Sequence, residues 1–295
     1  MSIVKMKRKD KIILMDFGFY MFSSGWASQN SEIPASYTCL NMMIADLKKI
    51  GLEPEDTVIV GVDYHGDDYS SWRKQFSGEY KKGRTGLPAE TYEQLNGALE
   101  IIKQSTDWNV IVLPHLEYDD IAAVACRYYK EKGVDVVVIS SDCDLEQMWI
   151  YDHVKVFSPH SKSKRYKIKP ANWNIYKVLA KKINKEAKDQ VTSEIINEDD
   201  YAKRKLIMDL TELPEWVETL VNEALDNMTY HKENMLLMPF RTLRDRYDSI
   251  FNDHSKVVTY ERSLEIVAKK EAKKKKVLAK KKETLVKEKL ASNMI

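Results

Sequence analysis

Four short runs along the chain are apolar at nearly every position and rich in β-branched residues. They are Ile12-Ile13-Leu14-Met15, Val58-Ile59-Val60-Gly61-Val62, Val110-Ile111-Val112-Leu113 and Val136-Val137-Val138-Ile139. Four or five such residues without polar alternation suit a strand covered on both faces, as in a parallel sheet. His153 to Phe157 is a weaker fifth candidate. Between the runs the apolar spacing changes to three and four, which is helical. Tyr37 to Ile50 places Leu40, Met43, Ile44 and Leu47 on one face, and Glu90 to Ser105 does the same with Leu95, Leu99 and Ile102. Ile121 to Lys132 turns Val124 and Ala125 inward and Arg127, Lys130 and Lys132 outward. This alternation, from about residue 10 to 158, predicts an α/β fold with a doubly wound, mainly parallel sheet.

The texture changes after Pro159. Residues 159–190 are rich in Lys and Arg with Tyr166, Trp173 and Tyr176 interleaved, and residues 200–227 read as helical with a break at Leu213-Pro214. Thr211 or Glu212 ahead of Pro214 suits a helix start with proline in its first turn. From Leu264 the chain reads as a Lys-rich helix or tail. The expected division is therefore 1–158, 159–262 and 263–295.

Composition narrows the class. With 43% hydrophobic and 31% charged residues the 295-residue chain is neither collagen-like nor wholly disordered. Cys39, Cys126 and Cys143 show no CxxC spacing, which argues against a disulfide framework or a cysteine zinc site. No apolar run approaches a membrane span, and the start is too short in apolar residues for a secretory signal, so a soluble protein of a reducing, cytoplasmic compartment is expected. The net charge of +2 hides an asymmetry: Ser263–Ile295 holds eleven Lys and four Glu, a balance of +7, which leaves −5 on residues 1–262.

The acids sit where the strands end. Asp16 follows the first run and Asp63 the second; Glu117, Asp119 and Asp120 lie just past the third; Asp142 and Asp144 lie just past the fourth. In an open α/β sheet these positions converge on the crevice outside the carboxyl ends of the strands. Carboxylates that close raise one another's pKa unless a cation neutralises them. Hard oxygen donors without His or Cys point to Mg²⁺ or Mn²⁺, and their number points to two ions. Metal-assisted hydrolysis of a phosphodiester is the chemistry that follows. One Asp after a strand is ordinarily a cap or turn residue, and Asp120, directly before the helix at Ile121, suits that role best of the set. A second constellation follows Asp63: Trp72-Arg73-Lys74 and Tyr80-Lys81-Lys82-Gly83-Arg84. It offers cations for phosphates and aromatic faces for unpaired bases, where an ordinary solvated loop is the plainer alternative.

These motifs together resemble the 5′-nuclease family: flap endonucleases, the 5′→3′ exonuclease domains of bacterial DNA polymerases, and phage 5′→3′ exonucleases. The resemblance rests on Asp16 after the first strand, Asp63 followed by Trp72-Arg73 and Tyr80-Lys81-Lys82-Gly83-Arg84, Glu117-Tyr118-Asp119-Asp120, and Ser141-Asp142-Cys143-Asp144-Leu145-Glu146-Gln147, in that order. The later chain is most similar to the T-even phage ribonuclease H branch. The resemblance implies a PIN-like nuclease domain with a helical arch at about residues 64–105, and a DNA-binding helical region over 159–262. It implies Asp16, Asp63, Glu117, Asp119 and Asp142 around a first metal and Asp144 at a second, with Glu186 and Asp189 as candidates to complete it and Asp120 among the metal-site acids. The segment Lys185-Glu186-Ala187-Lys188-Asp189-Gln190 departs from the family pattern, with Lys and Glu in place of Gly and Asp and no Gly-x-Gly turn after it. Lys81 and Arg84 are implied to act on the scissile phosphate beside Asp16, Asp63 and Asp142; Tyr80 to stack on a base; and Arg73 and Lys82 to bind nucleic acid.

The activity so implied is cleavage near single-strand/double-strand junctions, leaving a 5′-phosphate and a 3′-hydroxyl. Implied substrates are 5′ flaps, nicked or primed duplex and RNA–DNA hybrid. The resemblance further implies a role in DNA replication beside a single-strand-binding protein or sliding clamp, by a monomer in the cytoplasm (the host's, for a phage protein). Two alternatives stay open on sequence: a PIN-type ribonuclease without the arch, and a non-catalytic nucleic-acid-binding protein with a degenerate second metal site. An Asp-nucleophile phosphatase fits less well, because Asp16-Phe17-Gly18 lacks the second Asp its general acid requires.

Overall fold

A computed structural model of the chain describes residues 10–64, 71–76, 80–81, 86–160, 165–184, 198–229 and 233–292. In chain order the elements begin β1 (Lys11–Asp16), α1 (Phe17–Ser28), α2 (Ala35–Ile50), β2 (Thr57–Val62), α3 (Arg73–Phe76) and α4 (Ala89–Ser105). There follow β3 (Asn109–Val112), α5 (Tyr118–Glu131), β4 (Asp135–Ile139), a 3-10 turn (Asp144–Ile150), β5 (Val154–Ser158) and β6 (Arg165–Tyr166). The rest is helical: α6 (Ile175–Asn184), α7 (Glu198–Met208), α8 (Glu215–Asp226), a short 3-10 turn (Met235–Leu237), α9 (Arg241–Asn252) and α10 (Tyr260–Ser292).

The sheet runs β3-β2-β1-β4-β5-β6. The first five strands are parallel, with Leu14 level with Ile59 on one side and Val138 on the other, and β6 is antiparallel to β5. All four expected strands are present, and the weaker fifth is β5. Alternate residues feed two separate cores. Ile13, Met15, Val58, Val60, Val137 and Ile139 face a layer built by α1, α2, α4 and α9. Ile12, Leu14, Ile59, Val136 and Val138 face the opposite layer of α5 and α8. Removing both faces from water is what a continuous apolar run achieves, at about 1.5–3 kcal/mol for each buried Val, Leu or Ile. The chain leaves β1 for β2 and β3 on one side and returns to β4 and β5 on the other, which opens a crevice at the carboxyl ends of β1 and β4.

One helix of the first layer carried little periodic signal. In α1, Phe17, Tyr20 and Met21 are buried while Phe22 and Trp26 are exposed, so apolar residues lie on every side and no stripe stands out. In α9 Leu243, Tyr247 and Ile250 face inward at helical spacing, with Phe251 packed beside them. The segment expected to arch over the site is divided. Its second half, α4, buries Leu95, Ala98 and Ile102 in the first core and is a layer helix, so any arch lies before residue 89. Residues 159–262 also split: α8 joins the second core through Val217, Val221 and Leu225, α9 joins the first, and α6 and α7 form a third cluster with Tyr80. The Lys-rich end is helical. Ser263 is buried and Tyr260 meets Tyr166 edge-on at 5.8 Å, after which α10 is largely exposed as far as Val277. Among the described residues no helix is long and apolar enough to cross a membrane.

One glycine fixes the layer above the sheet. The Tyr118 ring lies directly on Gly61 of β2, where an added Cβ would stand 2.5 Å from Tyr118 Cδ2. Gly61→Ala is therefore expected to displace the ring and destabilise the protein by about 1–3 kcal/mol, the usual range for overpacking. Denaturant unfolding reads this directly; an unchanged midpoint would show that the ring is not held there.

Candidate metal centre

The sheet brings the acids of four strand ends to one edge. Asp16 closes β1 and caps α1: Oδ1 accepts the Phe19 N–H at 3.0 Å, and Oδ2 accepts the Ser140 hydroxyl at 2.8 Å. Asp63 follows β2, and its Oδ1 accepts the Tyr118 N–H at 2.7 Å, which ties the end of β2 to the start of α5. Gly18 lies beside both carboxylates; a Cβ on it would stand 3.2 Å from Asp16 Oδ1 and 3.9 Å from Asp63 Oδ2. Asp119 projects from the first turn of α5, and one oxygen each of Asp119, Asp142 and Asp144 lie within 4.8 Å of one another. Ser140 organises the β4 side, since its hydroxyl oxygen also accepts the Asp142 N–H at 3.1 Å. A cleft of about 290 Å³ is lined by Asp16, Asp63, Glu117, Asp119, Asp142 and Lys81.

The electrostatics of the cleft are those of an uncompensated anion cluster. Burial, reinforced by Asp63 and then Asp142, pushes the Asp16 carboxyl up to about 7. Burial, Asp142 and Asp16 raise Asp119 well above the carboxylate range. Glu117 behaves oppositely: burial opposes its charge, but Lys81 and Arg73 hold its pKa below the ordinary value. Lys81, at a φ of 56° uncommon outside glycine, donates to Glu117 Oε1 at 2.7 Å. An all-oxygen donor set whose members repel one another fits a hard divalent cation, and among the described residues that line the cleft there is no His or Cys.

Some residues expected at this site serve a different purpose. Asp120 is fully buried, and its carboxylate accepts Arg73 Nη1 and Nη2 at 2.9 and 2.7 Å, Trp72 Nε1 at 3.1 Å and the Glu117 N–H at 3.0 Å. With both oxygens taken, it is the reciprocal cap of α5 and the counter-ion of Arg73 rather than a metal ligand. Arg73 itself is 2% exposed and also donates Nη1 to Glu117 Oε2 at 3.2 Å, so it faces the interior and not a phosphate backbone. Leaving either partner of such a buried pair alone costs about 3–5 kcal/mol. Tyr80 is buried too, its hydroxyl donating to Glu117 Oε2 at 2.9 Å, so its ring offers no open face for a base in this conformation. Lys82, Arg84, Glu186 and Asp189 lie outside the described residues. Ser140 and the structural role of Arg73 were missed on sequence, whereas Gln147 was noted as the last residue of the Ser141–Gln147 motif without a role. Ser140 directly precedes that motif, and that adjacency was the one available signal for it.

Comparison with known proteins falls on the same ground. A family model described as 5′-3′ exonuclease, N-terminal resolvase-like domain, matches residues 12–182. Ribonuclease H of Enterobacteria phage T4 is 24% identical over 281 residues, covering 88% of each chain. The 5′-3′ exonuclease of Halalkalibacterium halodurans is 27% identical over 188 residues, 57% of this chain and 61% of that protein. Among solved structures, the T5 D15 protein co-crystallized with metal ions superposes with a TM-score of 0.53 at 15% identity, over 81% of this chain and 99% of that one, a likeness of fold.

The raised carboxyl of Asp16 sets a pH dependence. Between an unfolded value of 3.8 and a native value of about 7 the metal-free native state holds a proton that the unfolded chain has released. Stability from this group is thus greatest at low pH and declines as pH rises through that window. A divalent ion competes for the same oxygens. Its affinity is expected to rise from pH 5.5 to 7.5 with proton release, read by calorimetry in buffers of different ionisation enthalpy, and Asp16→Asn should reduce both effects. An affinity independent of pH would contradict the assignment.

Proposed function

The chain belongs to the 5′-3′ exonuclease family, and from that membership and its acidic cleft we propose that it is a divalent-metal-dependent 5′→3′ exonuclease and flap endonuclease. The observation that carries the reading is the convergence of Asp16, Asp63, Asp119 and Asp142 on one cleft with Lys81 on its wall. In this reading Asp16, Asp63, Asp119, Asp142 and Asp144 hold Mg²⁺ or Mn²⁺, two ions in all. The chemistry such ions supply when bound is Lewis-acid activation of water and neutralisation of charge on the phosphoryl oxygens.

The chain's own residues do the rest. The Tyr118 N–H and the Ser140 hydroxyl orient Asp63 and Asp16 before any ion arrives, which spares the site a reorganisation on binding. Lys81 exchanges Glu117 for the scissile phosphate, where a positioned ammonium stabilises the charge that develops. The open end of the cleft accepts a strand end at a single-strand/double-strand junction, and residues 159–262 grip the adjoining duplex. Substrates on this reading are DNA with 5′ flaps, nicked or primed duplex, and RNA–DNA hybrid, consistent with primer removal during replication. The +7 segment beyond Arg262, helical over about 45 Å at 1.5 Å per residue, acts as an electrostatic tether for phosphate backbones.

Incubation with a 5′-labelled flap, a nicked duplex and an RNA-primed duplex tests the reaction. Cleavage is expected only with Mg²⁺ or Mn²⁺, and Asp142→Asn should lose about 100-fold or more while still binding the substrate. Full activity in the variant, or cleavage in EDTA, would refute the proposal. Truncation after Arg262 tests the tether: the slope of log affinity against log salt should become shallower by up to about 6, and an identical slope would exclude it.

A further inference from the structure

The last turn of α7 is capped by two buried side chains, one from α3 and one from the 3-10 turn after β4. A helix leaves its final carbonyls without partners in its own backbone, and its C-terminus carries partial negative charge. Here the Ile207 carbonyl accepts Arg73 Nε at 2.9 Å, and the Met208 carbonyl accepts Gln147 Nε2 at 2.9 Å. Gln147 closes a second bond, its Oε1 accepting the Leu210 N–H at 3.1 Å. Both side chains are buried, Arg73 at 2% and Gln147 at 0% exposure. Each belongs to a different half of the cleft. Arg73 holds Glu117 and Asp120 at the start of α5, the turn from which Asp119 projects. Gln147 stands in the 3-10 turn that begins at Asp144, two residues past Asp142.

We propose that Gln147 is a positioning residue for the metal centre, and that with Arg73 it hangs the two acidic halves on one post, the end of α7. The need for a post follows from the burial pattern. Asp142 is exposed and Asp144 only half-buried; the Asp142 N–H donates to Ser140 Oγ and its carbonyl accepts Lys167 Nζ at 3.0 Å, and the turn behind them, packed through Leu145 and Met148, is what Gln147 anchors relative to Asp119. An amide that both donates to and accepts from the backbone of residues 208–210 fixes position and rotation together, which a single bond cannot do. The arrangement has a functional corollary. α7 packs with α6 and Tyr80 and touches the second core only through Leu206 among its apolar residues, so a shift of those helices on engaging nucleic acid reaches both halves of the cleft at once.

This inference rests on the reading of the cleft as a metal site, and its test uses a metal-binding readout that does not depend on cleavage. Gln147→Leu keeps volume and removes both bonds. Mn²⁺ titration followed by calorimetry or electron paramagnetic resonance is expected to show affinity reduced about 10- to 100-fold, the usual scale for groups that orient ligands. Excess Mn²⁺ should restore turnover on a flap substrate, with KM for nucleic acid unchanged. Gln147→Glu retains the acceptor for the Leu210 N–H and should fall between wild type and Gln147→Leu, which also serves if the leucine variant does not fold. Wild-type Mn²⁺ affinity in either folded variant would overturn the proposal. Reduced affinity in a protein whose wild type cleaves nothing would instead leave the positioning role standing and refute the nuclease reading.

Discussion

Mutual repulsion among carboxylates at the ends of adjacent parallel strands is the constraint around which this molecule is arranged. Parallel β1, β2 and β4 all point their carboxyl ends the same way, so the residues that follow them, Asp16, Asp63 and Asp142, share an edge. Burial, reinforced by that proximity, raises Asp16 and Asp119 toward protonation, which costs stability as pH rises and stores a preference for a divalent cation. The sheet must therefore be strong enough to hold these groups together without the ion. Two apolar cores, one on each face, supply that strength.

Around the repelling acids stands a compensated network of the opposite character. Arg73 satisfies Asp120 through two nitrogens and reaches Glu117, while Lys81 and Tyr80 complete Glu117's partners. Glu117 thus keeps a low pKa a short distance from carboxyls whose pKa is raised. The contrast separates acids that hold the structure from acids that await a ligand. It also places the cationic segment after β2 partly inside the protein, where its first residues brace α5 and α7 instead of meeting solvent.

The sheet was legible because an apolar run of four or five β-branched residues has few other uses, and because both of its faces are buried here. The acid cluster was legible because parallel strands deliver their ends to one place, so position along the chain maps onto position in space. α1 was not legible, since Phe22 and Trp26 interrupt its buried stripe, and α4 was assigned to an arch although its Leu95, Leu99 and Ile102 already showed a core-facing spacing.

Sequence alone determined the fold class, the family and the inventory of acids, because these depend on local periodicity and on the order of motifs. Only the tertiary structure decided which acids are available to an ion. Asp119 and Asp120 are neighbours in the chain, but one turn of α5 directs the first into the cleft and the second onto Arg73. The same holds for Gln147, whose partners Met208 and Leu210 lie some sixty residues away and meet it only because α7 ends beside the loop. A carboxylate's role is set by the charges and donors within a few ångströms of it, and those neighbours are fixed by packing, not by proximity along the chain.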